Sequence, residues 1–185
     1  EEAVVEIVRA GRPAEGRIVT LLRKSPQTAT PRCRHFGICG GCQWQHLPYE
    51  AQLQHKRALV REFLGPFLDP GVQIAPAVGT DPWEYRGRLQ ATFAMRADRV
   101  VAGFHALAED LRIINVRECP VQQGPNVHVL EAARDAIAAL GWPVYDHETR
   151  RGLVRGIVAQ TSRATGEVMA VLSTTAELPD RTAYV

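Results

Sequence analysis

Lysine is nearly missing from this chain: of 22 basic residues only Lys24 and Lys56 are lysines, the rest being arginine. Long apolar runs are missing too. No stretch reaches the 18 or more residues that a membrane-spanning helix needs, and no basic start followed by an apolar stretch and a small-residue cleavage site marks a secretory signal. A membrane or export role is therefore not expected, and a cytoplasmic location is. Aromatic residues make up only 6% of the chain, but 45% hydrophobic and 23% charged residues are enough to bury a core, which excludes disorder as a global description. A large charge of one sign is absent as well: the net charge of +2 is too small to announce a nucleic-acid binder. An initiator methionine is missing, and Glu1 opens directly on a strand-like pattern, so the expectation is a piece of a longer protein. The 185 residues suit one domain or two small ones.

The small net charge hides a gradient. Residues 32–64 carry Arg32, Arg34, Lys56, Arg57 and Arg61 against Glu50 and Glu62, whereas everything after residue 64 sums to −2. Three of the four cysteines lie in that basic stretch. Arginine offers a planar fork suited to phosphate and base edges, but such heavy arginine usage is equally explained by genomic base composition.

Alternation of apolar and polar residues on both sides of Gly11 and Pro13 predicts two strands, with Val5 and Ile7 on one and Ile18, Thr20 and Leu22 on the other. Two strands alone are marginal in water, so they are expected to be the end of a small β-barrel. Helical spacing follows in PYEAQLQHKRALVREFLGPF, where Leu53, Leu59, Val60, Phe63 and Leu64 share a face and Gly65-Pro66 ends it. Beyond Val78 the pattern turns to strands: 86–95 and 100–105 around the polar turn Arg96 to Arg99, then 111–116, then 153–161 and 167–174. Between them 125–140 reads as a second helix, with Pro125 at its start and Gly141 past its end. The expected class is α+β: a barrel end at 1–28, a cysteine loop and helix at 29–73, and an antiparallel sheet with a packed helix at 74–185.

The chemistry concentrates in the cysteines. Cys33, Cys39 and Cys42 follow C-x5-C-x2-C with Gly40-Gly41 between the last two, and Cys119 arrives from a distant strand end, followed by Pro120. Thiolates gathered by one loop suit a metal centre, and glycines let amide N–H groups approach the sulfurs. Three readings compete. A disulfide pair is disfavoured in a chain without an export signal. A structural zinc site with four thiolates is common, but it usually comes as two short knuckles. Three cysteines on one loop with a remote fourth before proline fit iron–sulfur ligation better.

The run PRCRHFGICGGCQWQHLPYEAQLQHKRALVREFL, then DPWEYRGR, then INVRECPV, resembles the bacterial RNA (uracil-5-)-methyltransferase family, whose best-known members modify uridines of 23S ribosomal RNA. The resemblance covers most of Pro31 to Val121. It implies a TRAM barrel, a central domain with a [4Fe-4S] cluster held by Cys33, Cys39, Cys42 and Cys119, and a C-terminal domain using S-adenosylmethionine. It also implies a cysteine nucleophile and a base in that last domain, which this sequence does not reach; alone, the chain is expected to be inactive. The expected partner is RNA, with 23S rRNA first and tRNA second, bound by a monomer. Candidate RNA contacts are Arg86 and Arg88, two apart on one strand face; Lys56 and Arg57 on the helix; and Gln43, Gln45, His46 and Tyr49 beside the cysteines. Each has a plainer reading: the helix charges as a solvated face, the polar residues as loop packing, and Trp83 and Tyr85 as core or cap residues. The alternative function is a stand-alone iron–sulfur or zinc module that carries electrons or acts as an RNA adaptor.

Overall fold

The computed structural model describes residues 1–107 and 111–179. The chain forms two compact units: Glu1–Thr30 with Trp44–Val78, and Pro31–Gln43 with Gly79–Val185. The cysteine loop is thus grouped with the α+β segment that begins at Gly79.

In the first unit, β1 (Glu2–Arg9) and β2 (Glu15–Arg23) pair antiparallel as a two-stranded ribbon. Neither face is covered: Ile7 and Ile18 are both 61% exposed, and Leu22 is 60% exposed. The described residues therefore form a ribbon and not a closed barrel. Arg17 meets Glu6 across it at 2.7 Å, an exposed pair that contributes at most ~1 kcal/mol. Helix α1 (Tyr49–Leu64) follows Pro48, whose extended backbone admits the chain to the helix, and is prolonged by a 3-10 turn at Gly65–Phe67. Its apolar stripe is where the spacing predicts, but it buries no residue fully, and Val60, Phe63 and Leu64 are exposed. What holds α1 is polar: Gln52 Nε2 donates to the carbonyls of Trp44 and Leu47, and the Trp44 ring stands edge-on to His55.

The second unit is a five-stranded antiparallel sheet in the order β5-β4-β3-β6-β7, with β3 at Arg88–Arg96, β4 at Arg99–His105, β5 at Ile113–Asn115, β6 at Val154–Thr161 and β7 at Val168–Thr174. The β3–β4 turn places Ala97 and Asp98 at φ 46° and 59°, the two left-handed residues of a tight hairpin. Strand β3 alternates so that Leu89, Ala91 and Phe93 are buried. Against that face packs α2 (Gly124–Ala139), which begins with Pro125 in its first turn and ends before Gly141 at φ +62°. Its buried residues, Asn126, Val127, Leu130, Arg134 and Ile137, follow helical spacing. Asn126 is fully buried and satisfied: it accepts from the Thr161 hydroxyl at 2.8 Å and its amide reaches Gln122 at 3.4 Å, while Gln122 in turn donates to the Arg88 carbonyl. The sheet faces are thus unequal, one holding the core and the other carrying Arg88, Gln90 and Thr92.

One irregularity shapes the open face. The β3–β6 ladder ends at Thr92 and Gly156, and beyond it residues 143–146 take over pairing with the start of β6. Tyr145 N–H donates to Val154 O at 2.8 Å, Leu153 N–H to Pro143 O at 2.7 Å, and Asp146 N–H to Arg151 O at 2.8 Å. Val144 is buried at this wedge.

Candidate metal centre and nucleic-acid interface

The cysteine loop is built by short turns. Phe36 N–H bonds Cys33 O, and the amides of Ile38 and Cys39 both bond His35 O, with Gly37 at φ +85° turning the chain between them. It is then fastened to the end of β4: Gly40 N–H donates to His105 O at 3.0 Å, Leu107 N–H donates to Ile38 O at 2.9 Å, and Cys39 bridges Ala106. A side chain at Gly40 would meet His105 O at 3.3 Å, so the close approach explains one glycine of the pair. Cys119 comes from the far side of β5, in a turn where Gln122 N–H bonds Cys119 O.

None of the four cysteines is in a disulfide among the described residues, and all four are partly buried. Burial pushes the Cys39 thiol above the usual cysteine range, the Gly41 N–H at 3.4 Å draws it back, and the nearby Cys33 and Cys42 raise it further. Burial likewise pushes Cys119 up, against N–H bonds from Val121 and Gln122 and again with Cys33 and Cys42 acting on it. The remote cysteine is therefore in electrostatic reach of the loop. Among the described residues, however, no three His, Cys, Asp or Glu side chains converge as a group that could hold one metal ion. The loop's cations are engaged: Arg34 pairs with Glu118 at 3.2 Å, and Arg32 lies over the Trp83 ring at 5.0 Å. Burial, and then Arg34, lower the pKa of His35, with Glu118 opposing.

The expected RNA contacts are distributed over both units. Arg86 and Arg88 are exposed, but β3 begins at Arg88; Arg86 lies outside it, in a parallel bridge to Gln122, so strand periodicity does not align the pair. Gln43 is exposed at the end of the cysteine loop. In the first unit Lys56 is exposed, and Gln45, His46 and Tyr49 are partly buried. Arg57 is turned inward, donating through Nε and Nη2 to Ile74 O at 2.9 and 2.7 Å, and so ties the segment after the helix back to it. Trp83 is partly buried under Arg32, whereas Tyr85 is 54% exposed.

Sequence reasoning missed a second polar cluster, where Thr92 and His105 on the open sheet face meet Tyr145 and His147. Its members are scattered along the chain and follow no spacing, so no local signal could have gathered them.

No protein-family model matches the chain. Among curated proteins it is 35% identical, over its full length, to an uncharacterized RNA methyltransferase of Bacillus cereus, of which it covers 41%. It is 35% identical over 88% of its length to one of Halalkalibacterium halodurans, covering 36% of that protein. It is 36% identical over 94% of its length to one of Listeria monocytogenes, covering 39%. Along its whole length the chain is similar to RNA methyltransferases. It spans about two-fifths of the length of these relatives. Among solved structures, 98% of the chain superimposes on 40% of the Pyrococcus abyssi tRNA (uracil-54, C5)-methyltransferase, solved with S-adenosyl-L-homocysteine, at a TM-score of 0.67 and 27% identity. That similarity supports the mixed fold of antiparallel sheets with two helices.

Proposed function

We propose that this chain is the RNA-recognising part of an S-adenosylmethionine-dependent RNA (uracil-5-)-methyltransferase, and that Cys33, Cys39, Cys42 and Cys119 hold a [4Fe-4S] cluster within it. The observation that carries the cluster assignment is the backbone built around the loop thiols: the loop is fastened to the end of β4 through Gly40 and Leu107, and Cys39 accepts the Gly41 N–H at 3.4 Å. The donor set fits the group, since iron–sulfur clusters take four thiolates and are tuned by N–H bonds to sulfur. A single zinc ion is the competing occupant of four thiolates. When bound, the cluster supplies thiolate bonds that tie the loop to the turn after β5; methyl transfer to uracil moves no net electrons, so the role is structural.

With all four cysteines so assigned, none of them serves as the nucleophile in this reading. Its own contribution is to bind RNA, through Arg86, Arg88 and Gln43 in the second unit and through Lys56, Gln45, His46 and Tyr49 in the first. The barrel to which β1 and β2 belong is of the TRAM type. The substrate proposed from the motifs is 23S rRNA; the tRNA enzyme among the similar structures makes tRNA the competing substrate.

Anaerobic purification with iron, sulfide and zinc analysis tests the cluster: iron and acid-labile sulfide near four per chain support it, and stoichiometric zinc without iron sinks it. Binding of 23S rRNA fragments against unmodified tRNA then separates the two substrates, and binding to neither refutes the recognition role.

A further inference from the structure

The wedge at 143–146 borders a cleft of about 190 Å³ on the open face of the sheet, lined by none of the cysteines. The partly buried side chains of Thr92 and Ala94, at the point where β3 loses its β6 neighbour, line the floor. One wall is aromatic: Tyr145 and His147 stand edge to face with ring centroids 5.1 Å apart. The opposite wall is polar, with Thr92 Oγ1 and His105 Nε2 in contact at 3.4 Å, long enough for either to exchange its partner for a ligand. At the rim, Asp146 spends its carboxylate on the amides of Glu148 and Thr149, at 2.8 and 2.7 Å, leaving Glu148 as the exposed carboxylate. Arg155, exposed and not itself a lining residue, lies over the Tyr145 ring at 4.6 Å.

We propose that this cleft receives one unpaired nucleobase of the RNA substrate. The inference rests on the RNA-binding reading above and adds to it a site that uses none of the residues named there. The volume lies below the ~300 Å³ at which pockets for drug-sized ligands begin, so it admits a ring system and not a whole nucleotide. The Glu148 carboxylate at the rim repels a phosphate but accepts from the imino N–H of uracil or guanine, while the rings of Tyr145 and His147 supply the stacking surface that single-stranded RNA recognition uses. The base enters as the cleft's contents, and its phosphate remains outside.

The test uses the 185-residue chain and a short single-stranded RNA carrying one 4-thiouridine, with affinity read by fluorescence anisotropy. Irradiation is expected to crosslink the thiobase to peptides containing Thr92 or residues 145–148. His147→Ala, which removes a stacking ring at an exposed position, and Ala94→Leu, which fills the floor and leaves the rings in place, are each expected to weaken binding about tenfold. An abasic site in place of the thiobase should cost the parent chain the same factor and the two variants almost nothing. Each variant is compared after its circular dichroism spectrum and melting midpoint match the parent's; should one of them not fold, the crosslink and the other decide. RNA binding that both variants retain in full, with crosslinks elsewhere, overturns the cleft and leaves the RNA reading intact. Failure of the parent chain to bind RNA overturns both.

Discussion

Gly40 gives its amide N–H to the carbonyl oxygen of His105 at 3.0 Å, and the side chain of that same histidine lines the cleft on the open sheet face. One residue thus joins the cysteine loop to the second polar cluster. Enlarging Gly40 tests the join. A Cβ there sits 3.3 Å from His105 O, so Gly40→Ala asks for a shift of a few tenths of an ångström, whereas the branched side chain of Gly40→Val has to displace the strand end. The valine variant is expected to lose about 1–2 kcal/mol in urea titration of the metal-free chain, with alanine costing less than half of that. An unchanged valine midpoint would mean that the loop is not held at His105.

Arg88 and Arg57 are both candidate phosphate contacts by sequence, but only Arg88 presents a free face to solvent. Arg88→Ala should lower RNA affinity and reduce the slope of log K against log salt by about 1. Arg57→Ala should leave that slope unchanged and instead release the Ile74 carbonyl, destabilising the first unit by about 1–2 kcal/mol. Salt titrations of both variants against the same RNA decide the matter; a slope change in Arg57→Ala alone would reverse the assignment.

Gly152 stands at φ +117°, where a Cβ would lie 2.3 Å from Val144 O. Both the backbone conformation and the clash fall on the wedge. Gly152→Ala is therefore expected to cost about 3 kcal/mol in thermal or denaturant unfolding, and to separate residues 143–146 from the start of β6. A midpoint within experimental error of the parent's would show that the wedge is not held as described.

Asp146 titrates below the ordinary aspartate range because the Thr149 and Glu148 amides bond its carboxylate. A carboxyl whose folded-state pKa is depressed stabilises the fold fully above its unfolded value and loses that contribution as pH falls through the folded value. Protection of the Glu148 and Thr149 amides against hydrogen exchange should accordingly persist at neutral pH and decline only on acidification below the usual aspartate midpoint. In Asp146→Ala it should be absent at every pH. An NMR titration of the Asp146 carboxyl carbon with an ordinary midpoint would refute the turn.

Local signals carried most of the second unit. The left-handed pair Ala97-Asp98, the Pro125 start and Gly141 end of α2, and the alternation of Leu89, Ala91 and Phe93 each follow from rules that act within a few residues. Tertiary choices were not legible. Nothing local tells that Arg57 bonds Ile74, that Val144 pairs with Val154 in a parallel bridge, or that Arg134 is buried at 3% exposure in α2. The α1 stripe shows the converse: helical spacing correctly marked Phe63 and Leu64 as one face but could not say that the described residues leave both exposed. At the candidate metal centre, cysteine spacing proposed a group, three members of which share one loop, whereas among the described residues no three ligands converge on one ion. The cleft, made of ordinary Thr, His and Tyr, offered no such label.

The first unit's second segment, Trp44–Val78, is an insertion within the chain path of the second. For a nascent chain this sets an order of events. Closing the inserted loop of 35 residues costs about 3 kcal/mol of entropy before any contact of the second unit returns it. Gly40 also leaves the ribosome roughly 65 residues ahead of His105, a delay of about 3–13 s at ordinary synthesis rates. Throughout that interval Cys33, Cys39 and Cys42 are thiols with no strand to dock on, so metal delivery and oxidation compete for them on the timescale of translation.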